Sequence, residues 1–383
     1  MPRFLIGLLI VTCIAHIPFV AAVVELAKRF QVPSTLLGFG AGGIGIALFL
    51  SRARAGMPDR RRNRWVVQLF DLPYFIHWCA CIFSFFSLIL SWPLLVLLHI
   101  AFDFSLSSSV LCTYLYSSGL AVAAYGILIR RRLFSIRSLE VILPHLPQEF
   151  DGYRIAHLSD LHIGTHTPLS WGERWVRAAN QQMPDLSVVT GDLITSGNDY
   201  HDDATSVLQG LKAKDGAYVS LGNHDYFGDG EGFIKKMRAA GVKVLRNEGR
   251  ILKRGNAQLY LASIDDTWTG RAHLDKALAD APPHLPILLL AHDPACFSAA
   301  ASRSVALTLS GHTHGGQIAL PFCGRHVSLS HLANPFHIGF YQQAASILYV
   351  HPGLGTTGPP IRIGSPPAVV ILTLRSAPVA GDP

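Results

Sequence analysis

The distribution of apolar residues divides the chain into two regions. In the first third, four long apolar stretches carry no charged side chain over about the 20 residues that a membrane-spanning helix needs. They predict an all-α transmembrane domain over residues 1–132, with four helices at about 4–24, 32–51, 74–101 and 106–129. The alternative for the first stretch is a signal peptide, but its 21-residue apolar core is longer than the usual h-region.

Beyond residue 132 the apolar runs become short and β-branched, and several end in polar clusters. Five such runs predict strands at 153–158, 186–190, 217–221, 287–291 and 305–310. Helical patterns lie between them at 169–182, 204–212, 233–240 and 274–278, which predicts an alternating α/β plan. Polar groups placed directly after buried strands indicate a site at the carboxyl edge of a sheet.

The same change in pattern sets the expected domain boundaries. Residues 133–149 form a juxtamembrane linker and a first strand, residues 150–376 form the second domain, and residues 377–383 form a tail. Composition agrees with this division, since 50% of the residues are hydrophobic and only 15% are charged, against about 25% in a typical soluble domain. The composition therefore excludes a disordered chain.

Charge is distributed as unevenly as hydrophobicity. The net charge is +7, but residues 1–139 hold 13 Lys and Arg against 4 Asp and Glu, so they carry +9 and the remainder carries −2. The basic character thus belongs to the membrane region, and no nucleic-acid partner is expected. The partners that we expect are the bilayer and a phosphorylated small-molecule or lipid-linked substrate.

Arginine placement predicts the topology. Six arginines follow the second apolar stretch, at positions 52, 54, 60, 61, 62 and 64, and three more follow the fourth, at positions 130–132. Loops rich in Lys and Arg stay in the cytoplasm. We therefore predict a multi-pass protein of the inner (cytoplasmic) membrane whose second domain faces the cytoplasm.

Two features inside the membrane region could be mistaken for sites. Residues 40–45 match the dinucleotide pattern G-x-G-x-x-G, but they lie in an apolar stretch with no strand before them, which favours close helix packing. Three histidines and two cysteines also lie in these stretches: His16, His77, His99, Cys79 and Cys81. Because they are isolated in sequence and are expected at unrelated depths, we interpret them as packing or interfacial groups.

The polar clusters after the predicted strands supply metal-ligating side chains without any thiolate. They are Asp160, His162, Asp192, Asn223, His292, His312 and His314. A set of oxygen and nitrogen donors suits Mn²⁺, Fe or Zn²⁺, whereas Mg²⁺ prefers oxygen alone. Seven ligands are too many for one ion with open positions, but two ions about 3.5 to 4 Å apart that share one carboxylate would use them all.

The order of these motifs resembles a known family. Asp-x-His, Gly-Asp, Gly-Asn-His-Asp, His and Gly-His-Thr-His follow one another as in the calcineurin-like metallophosphoesterases, and the resemblance covers residues 150–376. Gly-His-Thr-His-Gly-Gly-Gln at 311–317 and the glycine-rich segment 353–359 are similar to the membrane-associated bacterial branch. The resemblance implies a four-layer α/β sandwich, with two mixed β-sheets flanked by helices, after the all-α transmembrane domain.

The resemblance also implies roles for individual residues. Asp160, His162 and His314 would bind the first metal, Asn223, His292 and His312 the second, and Asp192 would bridge them. The two divalent ions are expected to be manganese, with iron or zinc as alternatives. His224 would be the catalytic histidine that stabilises the phosphoryl oxygen or protonates the leaving group.

One position departs from the family pattern. Many relatives carry an aspartate three residues after the bridging one, where it orients the catalytic histidine, and this chain has Thr195 there. Asp225, Asp199 or Asp202 could take over that role. All seven ligand positions match, so the expectation of activity is kept.

The resemblance implies hydrolysis of a phosphodiester or pyrophosphate bond by a hydroxide that bridges the two metals. Similarity to UDP-2,3-diacylglucosamine pyrophosphatase-like enzymes favours a lipid-linked nucleotide such as UDP-diacylglucosamine as substrate. One alternative is a phosphodiesterase acting on soluble nucleotides. Another is a non-catalytic membrane module that binds metal and a phosphorylated ligand.

Overall fold

The structure is a computed structural model, and it describes residues 3–55, 59–322, 325–328 and 330–377. The chain folds into two compact units. The first, the helical unit, comprises Met1–Met57 and Arg62–Arg130, and the second, the sandwich unit, comprises Pro58–Arg61 and Arg131–Pro383. The chain therefore enters the sandwich unit briefly at residues 58–61 before it returns to the helical unit.

The helical unit consists of apolar helices. Its α-helices are α1 (Arg3–Ala15), α2 (Ile17–Arg29), α3 (Ser34–Ala55), α4 (Arg64–Val66), α5 (Leu72–Phe102) and α6 (Ser108–Ala124). Some join into longer helical segments, and within the described residues four segments are long and apolar enough to cross a membrane: Leu5–Arg29, Ser34–Arg52, Arg64–Phe102 and Ser108–Arg132. The prediction of four apolar helices is thus confirmed.

The sandwich unit contains two six-stranded sheets and a hairpin. Its first seven strands are β1 (Ser135–Leu143), β2 (Arg154–Leu158), β3 (Leu186–Thr190), β4 (Ala217–Ser220), β5 (Lys243–Val244), β6 (Glu248–Arg254) and β7 (Ala257–Ser263). The others are β8 (Ile287–Leu290), β9 (Leu307–Ser310), β10 (Leu320–Phe322), β11 (Arg325–Val327), β12 (Gly339–Gln343), β13 (Ser346–Val350) and β14 (Ala368–Ser376). Its α-helices are α7 (Leu169–Asn180), α8 (His201–Gln209), α9 (Gly230–Ala239), α10 (Leu274–Leu278), α11 (Phe297–Ser302) and α12 (Ser330–Ala333).

Both large sheets are mixed. The first has the order β1-β14-β2-β3-β4-β5, in which β14 is parallel to β1 and antiparallel to β2. The second has the order β12-β13-β9-β8-β7-β6, in which β13, β9, β8 and β7 are parallel and the two outer strands are antiparallel to their neighbours. Strands β10 and β11 form the separate hairpin.

Successive side chains of the central strands pack into different hydrophobic cores, and this explains the layers of the sandwich unit. Val188 packs into the core that the two sheets share, whereas Val189 packs into the core on the other side of its sheet. In the same way Leu288 faces the shared core, and Leu289 faces a third core with residues from α10 and α11. Successive side chains of a strand point to opposite faces, so fully apolar strands can bury both. This is the predicted four-layer sandwich of two mixed sheets flanked by helices.

Candidate metal centre

Each candidate ligand follows a strand, as the sequence predicted, but these strands belong to two sheets rather than to one. Asp160 and His162 follow β2, Asp192 follows β3 and Asn223 follows β4, all in the first sheet. In the second sheet, His292 follows β8, and His312 and His314 follow β9. The carboxyl ends of these parallel strands bring the loops together at one edge of the sandwich.

The first cluster of candidate ligands contains Asp160, His162, Asp192 and His314, and all four are buried. His162 Nε2 lies 3.0 Å from His314 Nε2 and 3.4 Å from Asp192 Oδ2. His314 Nε2 lies 3.4 Å from Asp160 Oδ1. These separations place two imidazoles and two carboxylates around one point, which is the arrangement that a single ion requires.

The second cluster contains Asp192, His292 and His312. His292 Nε2 lies 3.3 Å from Asp192 Oδ2 and 3.2 Å from His312 Nδ1. Asn223 lies between Gly222 and His224, which both approach Asp192, and its buried Oδ1 has no hydrogen-bond partner. Asp192 is common to both clusters, so the two groups of candidate ligands share one carboxylate.

Backbone conformation around the clusters is unusual for residues with side chains. Five candidate ligands have φ in the left-handed region: Asp160, His162, Asp192, His312 and His314, with values between 45° and 70°. Few residues other than glycine adopt this conformation, and it is found at sites where the surrounding structure enforces it. The loops are therefore held in place by the fold rather than by local preference.

Two glycines allow these loops to approach one another. A Cβ atom on Gly222 would lie 2.2 Å from Asp192 Oδ1, and one on Gly311 would lie 2.3 Å from Asp160 Oδ2. Both separations are far below van der Waals contact. Glycine at each position is thus required for the carboxylates to lie where they do.

Burial and proximity perturb the pKa values in this site. Burial raises the pKa of Asp160 to about 6 and lowers that of His162 to about 3. Burial alone would also lower the pKa of His292, but the neighbouring Asp192 carboxylate raises it to about 10. In turn, His292 holds the pKa of Asp192 well below its usual range despite the burial of that carboxyl. A divalent ion beside Asp192 would instead favour the neutral form of His292, which can bind a metal.

Several polar atoms in the clusters fit a metal better than a hydrogen bond. Asp160 Oδ2 and Asn223 Oδ1 are buried without a hydrogen-bond partner. His292 Nδ1 lies 2.8 Å from the carbonyl oxygen of Thr190, to which it must donate, so in the neutral ring it is Nε2 that carries a lone pair toward the cluster. A metal-bound histidine characteristically makes such a bond with its other nitrogen. The donor set therefore fits divalent metal ions.

His224 is oriented by a backbone carbonyl. Its Nδ1 lies 2.6 Å from the oxygen of Thr195, so Nδ1–H donates to that carbonyl. Its Nε2 is 3.4 Å from Thr357 Oγ1, and its ring meets the His162 ring edge to face at 4.7 Å. Thr195, which stands where the family pattern has an aspartate, thus orients His224 through its main-chain carbonyl.

The three aspartates suggested for orienting His224 are engaged elsewhere, so that expectation was wrong. Asp225 is buried and accepts hydrogen bonds from three backbone N–H groups in the loops around Asp192 and Gly222. Asp199 accepts a bond from the backbone of residue 61, and Asp202 pairs with a lysine. A carboxylate on the neighbouring loop was unnecessary because the Thr195 carbonyl already lay within reach.

Arg362 is a buried residue beside the first cluster that the sequence motifs did not reveal. It is fully buried, and its guanidinium donates to the carbonyl oxygens of Gly355, Pro352 and Ser365. Its Nη2 also lies 3.2 Å from His314 Nδ1. The sequence carried a signal, since Arg362 is the single charged residue in the proline-rich and glycine-rich segment 352–372. It holds this segment against the His314 loop.

Comparison with known proteins agrees with the geometry. The profile of the calcineurin-like phosphoesterase family matches residues 153–316. "Uncharacterized metallophosphoesterase YkuE" of Bacillus subtilis is 34% identical over 235 residues, which is 60% of this chain and 82% of that protein. The chain therefore belongs to the calcineurin-like metallophosphoesterase family, whose members are metal-dependent hydrolases of phosphate esters.

The names of two vertebrate relatives describe a metallophosphoesterase domain in a transmembrane protein. "Transmembrane protein with metallophosphoesterase domain" of Danio rerio is 32% identical over 67% of this chain and 61% of its own length. The Bos taurus protein of the same name is 34% identical over 64% of this chain and 58% of its own length. Together with the four apolar helices, they indicate that the protein is associated with a membrane.

Exposed aromatic side chains flank the metal centre. The Trp268 ring lies 5.1 Å from that of His312, and its Nε1–H donates to Asp293 Oδ2 over 3.2 Å. The Phe227 ring lies 4.7 Å from that of His224. The two residues are 67% and 37% exposed, respectively, so both offer apolar area beside the site. Such rings are suited to contacts with planar or apolar parts of a substrate.

We expect Trp268→Ala to raise KM for bis-p-nitrophenyl phosphate by about fivefold while kcat changes little, because about 1 kcal/mol of ring contact is lost in ground and transition state alike. Steady-state kinetics of the purified protein measures both constants. Trp268→Phe is the matched control, since it keeps a ring and should keep most of the affinity. A fall in kcat at constant KM would show that Trp268 does not bind substrate in this way.

The short segment at 58–61 is a second feature that the sequence did not disclose. Asp59 accepts hydrogen bonds from the backbone N–H of Thr165 over 3.0 Å and from its hydroxyl over 2.6 Å. The backbone N–H of Asp59 donates to Ser196 Oγ over 3.0 Å. These bonds connect the loops that carry His162 and Thr195. The arginine-rich loop, predicted only to set topology, therefore supplies part of the sandwich unit.

Asp59→Ala is expected to lower the unfolding midpoint of the sandwich unit by about 2 to 8 °C, because the two Thr165 donors lose a charged acceptor. Thermal unfolding of the full chain in detergent measures the shift. The control is Asp275→Ala, which removes a carboxylate that is 79% exposed and paired with Arg303, and it should have little effect. Equal shifts in the two variants would show that Asp59 contributes no more than a surface ion pair.

Proposed function

We propose that the protein is a membrane-anchored phosphoesterase that uses two divalent metal ions to hydrolyse a phosphodiester or pyrophosphate bond. The observation that carries this proposal is the pair of ligand clusters that share Asp192, with His224 beside them. In this proposal the first ion is held by Asp160, His162 and His314, the second by Asn223, His292 and His312, and both by Asp192. Manganese is the proposed metal, with iron or zinc as alternatives.

Two such ions would lower the pKa of a water molecule and neutralise charge on the phosphoryl group. The residues of the chain supply orientation and proton transfer. Since His224 Nδ1–H is bound to the Thr195 carbonyl, Nε2 is the nitrogen left to exchange a proton with the substrate. A protonated imidazole at that position can donate to the leaving oxygen, which is a role suited to histidine near neutral pH.

For the substrate we propose a lipid-linked nucleotide, such as UDP-diacylglucosamine. Four apolar helices support this proposal, because they keep the chain at a bilayer, and the exposed Trp268 and Phe227 beside the site offer contacts for a base or an acyl group. A soluble nucleotide could use the same aromatic contacts. The two substrate classes differ in their effect on cells, since only the first would change lipid composition.

The reaction class is tested with purified full-length protein that has been stripped with a chelator and reloaded separately with Mn²⁺, Fe²⁺ or Zn²⁺. We expect hydrolysis of bis-p-nitrophenyl phosphate after reloading and none before. Metal binding without turnover of any phosphate ester, with all three ions, would contradict the proposal. That result would instead support a module that binds a phosphorylated ligand without cleaving it.

The substrate class is tested by mass spectrometry of the membrane lipids and of the soluble nucleotides after depletion of the protein. Accumulation of a nucleotide-linked glycolipid is expected. If no phospholipid or glycolipid precursor accumulates while a soluble nucleotide does, the soluble substrate is the correct one.

We also propose that the sandwich unit faces the cytoplasm from the inner membrane, on the strength of the arginines after the second and fourth apolar helices. Protease added to intact spheroplasts should then leave this unit uncut. Its cleavage under those conditions would contradict the orientation.

A further inference from the structure

Three side chains that are distant in sequence converge inside the helical unit. His16 lies between α1 and α2, and His77 and Cys81 lie one turn apart on α5. One ligand atom from each lies within 4.8 Å of the other two. His16 is 2% exposed and Cys81 is fully buried. The sequence pattern predicts these residues at unrelated depths, and the structure corrects that expectation.

The hydrogen bonds of the two histidines define which nitrogens remain available. His16 Nδ1 lies 2.7 Å from the carbonyl oxygen of Thr12. A carbonyl can only accept, so Nδ1 carries the proton and Nε2 carries a lone pair. His77 Nδ1 lies 2.8 Å from the Tyr116 hydroxyl, which leaves its Nε2 for another partner. Metal-ligating histidines are held in the same way by a bond at the other ring nitrogen.

The available nitrogens face one another beside a glycine. A Cβ atom on Gly45 of α3 would lie 2.6 Å from His16 Nε2 and 3.2 Å from His77 Nε2. Gly45 is the last glycine of the G-x-G-x-x-G segment, whose apolar context favours close helix packing. Its lack of a side chain admits the two imidazoles at this point, in addition to any role in helix contact.

Cys81 completes the group. Its Sγ lies 3.8 Å from His77 Nε2, and the His16 and His77 rings meet edge to face with centroids 5.2 Å apart. A weak bond between the thiol and His77 would explain two of the three side chains as a polar packing cluster. It would leave His16 Nε2 buried without a hydrogen-bond partner, as the structure shows it, and such a group is costly in an apolar interior.

We propose that His16, His77 and Cys81 bind one Cu⁺ or Zn²⁺ ion within the helical unit, through both Nε2 atoms and the thiolate. Two imidazoles and a thiolate are the ligands that these ions select, and binding releases the Cys81 thiol proton to solvent. An ion satisfies the His16 lone pair, which the packing cluster cannot do. This site is distinct in ligand chemistry from the metal centre of the sandwich unit, whose donors are oxygen and nitrogen alone.

That difference gives a specific test. Full-length protein in detergent is loaded with Co²⁺ as a spectroscopic substitute for Zn²⁺, and the near-ultraviolet band that arises from thiolate-to-cobalt charge transfer is recorded. The ligands proposed for the sandwich unit include no thiolate, so they produce no such band. We expect the band in the wild-type protein and its loss in Cys81→Ser, together with the loss of one Zn²⁺ or Cu⁺ ion per chain by elemental analysis.

The matched control is Cys79→Ser, since Cys79 is also buried on α5 but lies outside the cluster. It should keep both the band and the ion. His16→Gln, which leaves every cysteine in place, should lose the band as Cys81→Ser does. The proposal is overturned if the wild-type protein gives no band, or if Cys79→Ser and Cys81→Ser reduce it equally. Helix content by circular dichroism in detergent checks that the helical unit of each variant is folded, and this check does not depend on the proposed hydrolysis.

Discussion

Asp192→Ala is expected to lower the metal-dependent hydrolysis of bis-p-nitrophenyl phosphate by about 10³-fold or more, since about 4 kcal/mol of transition-state stabilisation by metal ions is lost. Asp192 Oδ2 lies 3.4 Å from His162 Nε2 and 3.3 Å from His292 Nε2, so one carboxylate serves both clusters. Its removal deprives each proposed ion of a ligand and leaves His292 without its counter-ion. No other substitution of a single residue should disturb both ions as directly.

Elemental analysis and steady-state kinetics of the same preparation check this prediction. Metal content should fall together with activity in Asp192→Ala. The control is Asp202→Ala, whose carboxylate is 82% exposed and pairs with Lys236 outside both clusters. It should keep the metal and the rate of the wild-type protein. Wild-type hydrolysis by Asp192→Ala would show that the shared-carboxylate mechanism is wrong.

His224→Gln is expected to lower kcat by about 10² to 10⁴-fold while metal content stays at the wild-type level. The reason is that His224 donates through Nδ1 to the Thr195 carbonyl and is assigned to proton transfer rather than to metal binding. Glutamine keeps polarity and approximate length but cannot exchange a proton near neutral pH. The separation of kcat from metal content distinguishes this residue from the seven proposed ligands.

Thr195→Ala is the matched control for His224→Gln, because it removes the side chain and keeps the carbonyl that orients the histidine. We expect its rate to change by no more than about threefold. Metal content is measured alongside the rate, because Thr195 Oγ1 donates to the carbonyl oxygen of His162 over 3.1 Å. A large loss of rate at unchanged metal content would mean that the side chain, rather than the main chain, fixes His224. Loss of metal from His224→Gln would mean that this histidine is a ligand.

The sequence predicted the strands around the site well because the pattern was local. Each of the five predicted strands is a short apolar run followed by polar residues, and β3 matches its predicted bounds. Parallel strands place their carboxyl ends at one edge of a sheet, so the closeness of Asp160 to Asp192 in the first sheet, and of His292 to His312 in the second, followed from strand order. The meeting of the two sheet edges did not follow from strand order, since it depends on how the sheets pack.

Contacts of the main chain and of distant segments could not be predicted in this way. His224 is oriented by a backbone carbonyl, a group that every residue type has. The identity of residue 195 as threonine therefore gives no sign of this contact. Asp59 meets Thr165 across 106 positions, and a lone acidic residue among arginines resembles any solvated loop. Arg362 stands out in the sequence as the single charged residue of segment 352–372, but its contact with His314 is known only from the structure.

The helical unit shows a related limit. Apolar runs predict how many helices are present, but not how each is rotated about its axis or displaced along it. His16 and His77 are 61 positions apart in sequence. The distance between their rings depends on how α1 and α5 are placed along each other. Small shifts along either helix would separate the rings. Three-dimensional packing was therefore needed to bring His16, His77 and Cys81 together.

The order of strands in the first sheet has a consequence for biosynthesis. Strand β14 lies between β1 and β2, so these two early segments are joined only through residues 368–376. A ribosome must therefore make at least 368 residues before β1 finds its partner, while the apolar helices are already available for insertion. Nascent chains arrested before that point should expose the β2 edge and be cut there by added protease, whereas chains extended past β14 should resist.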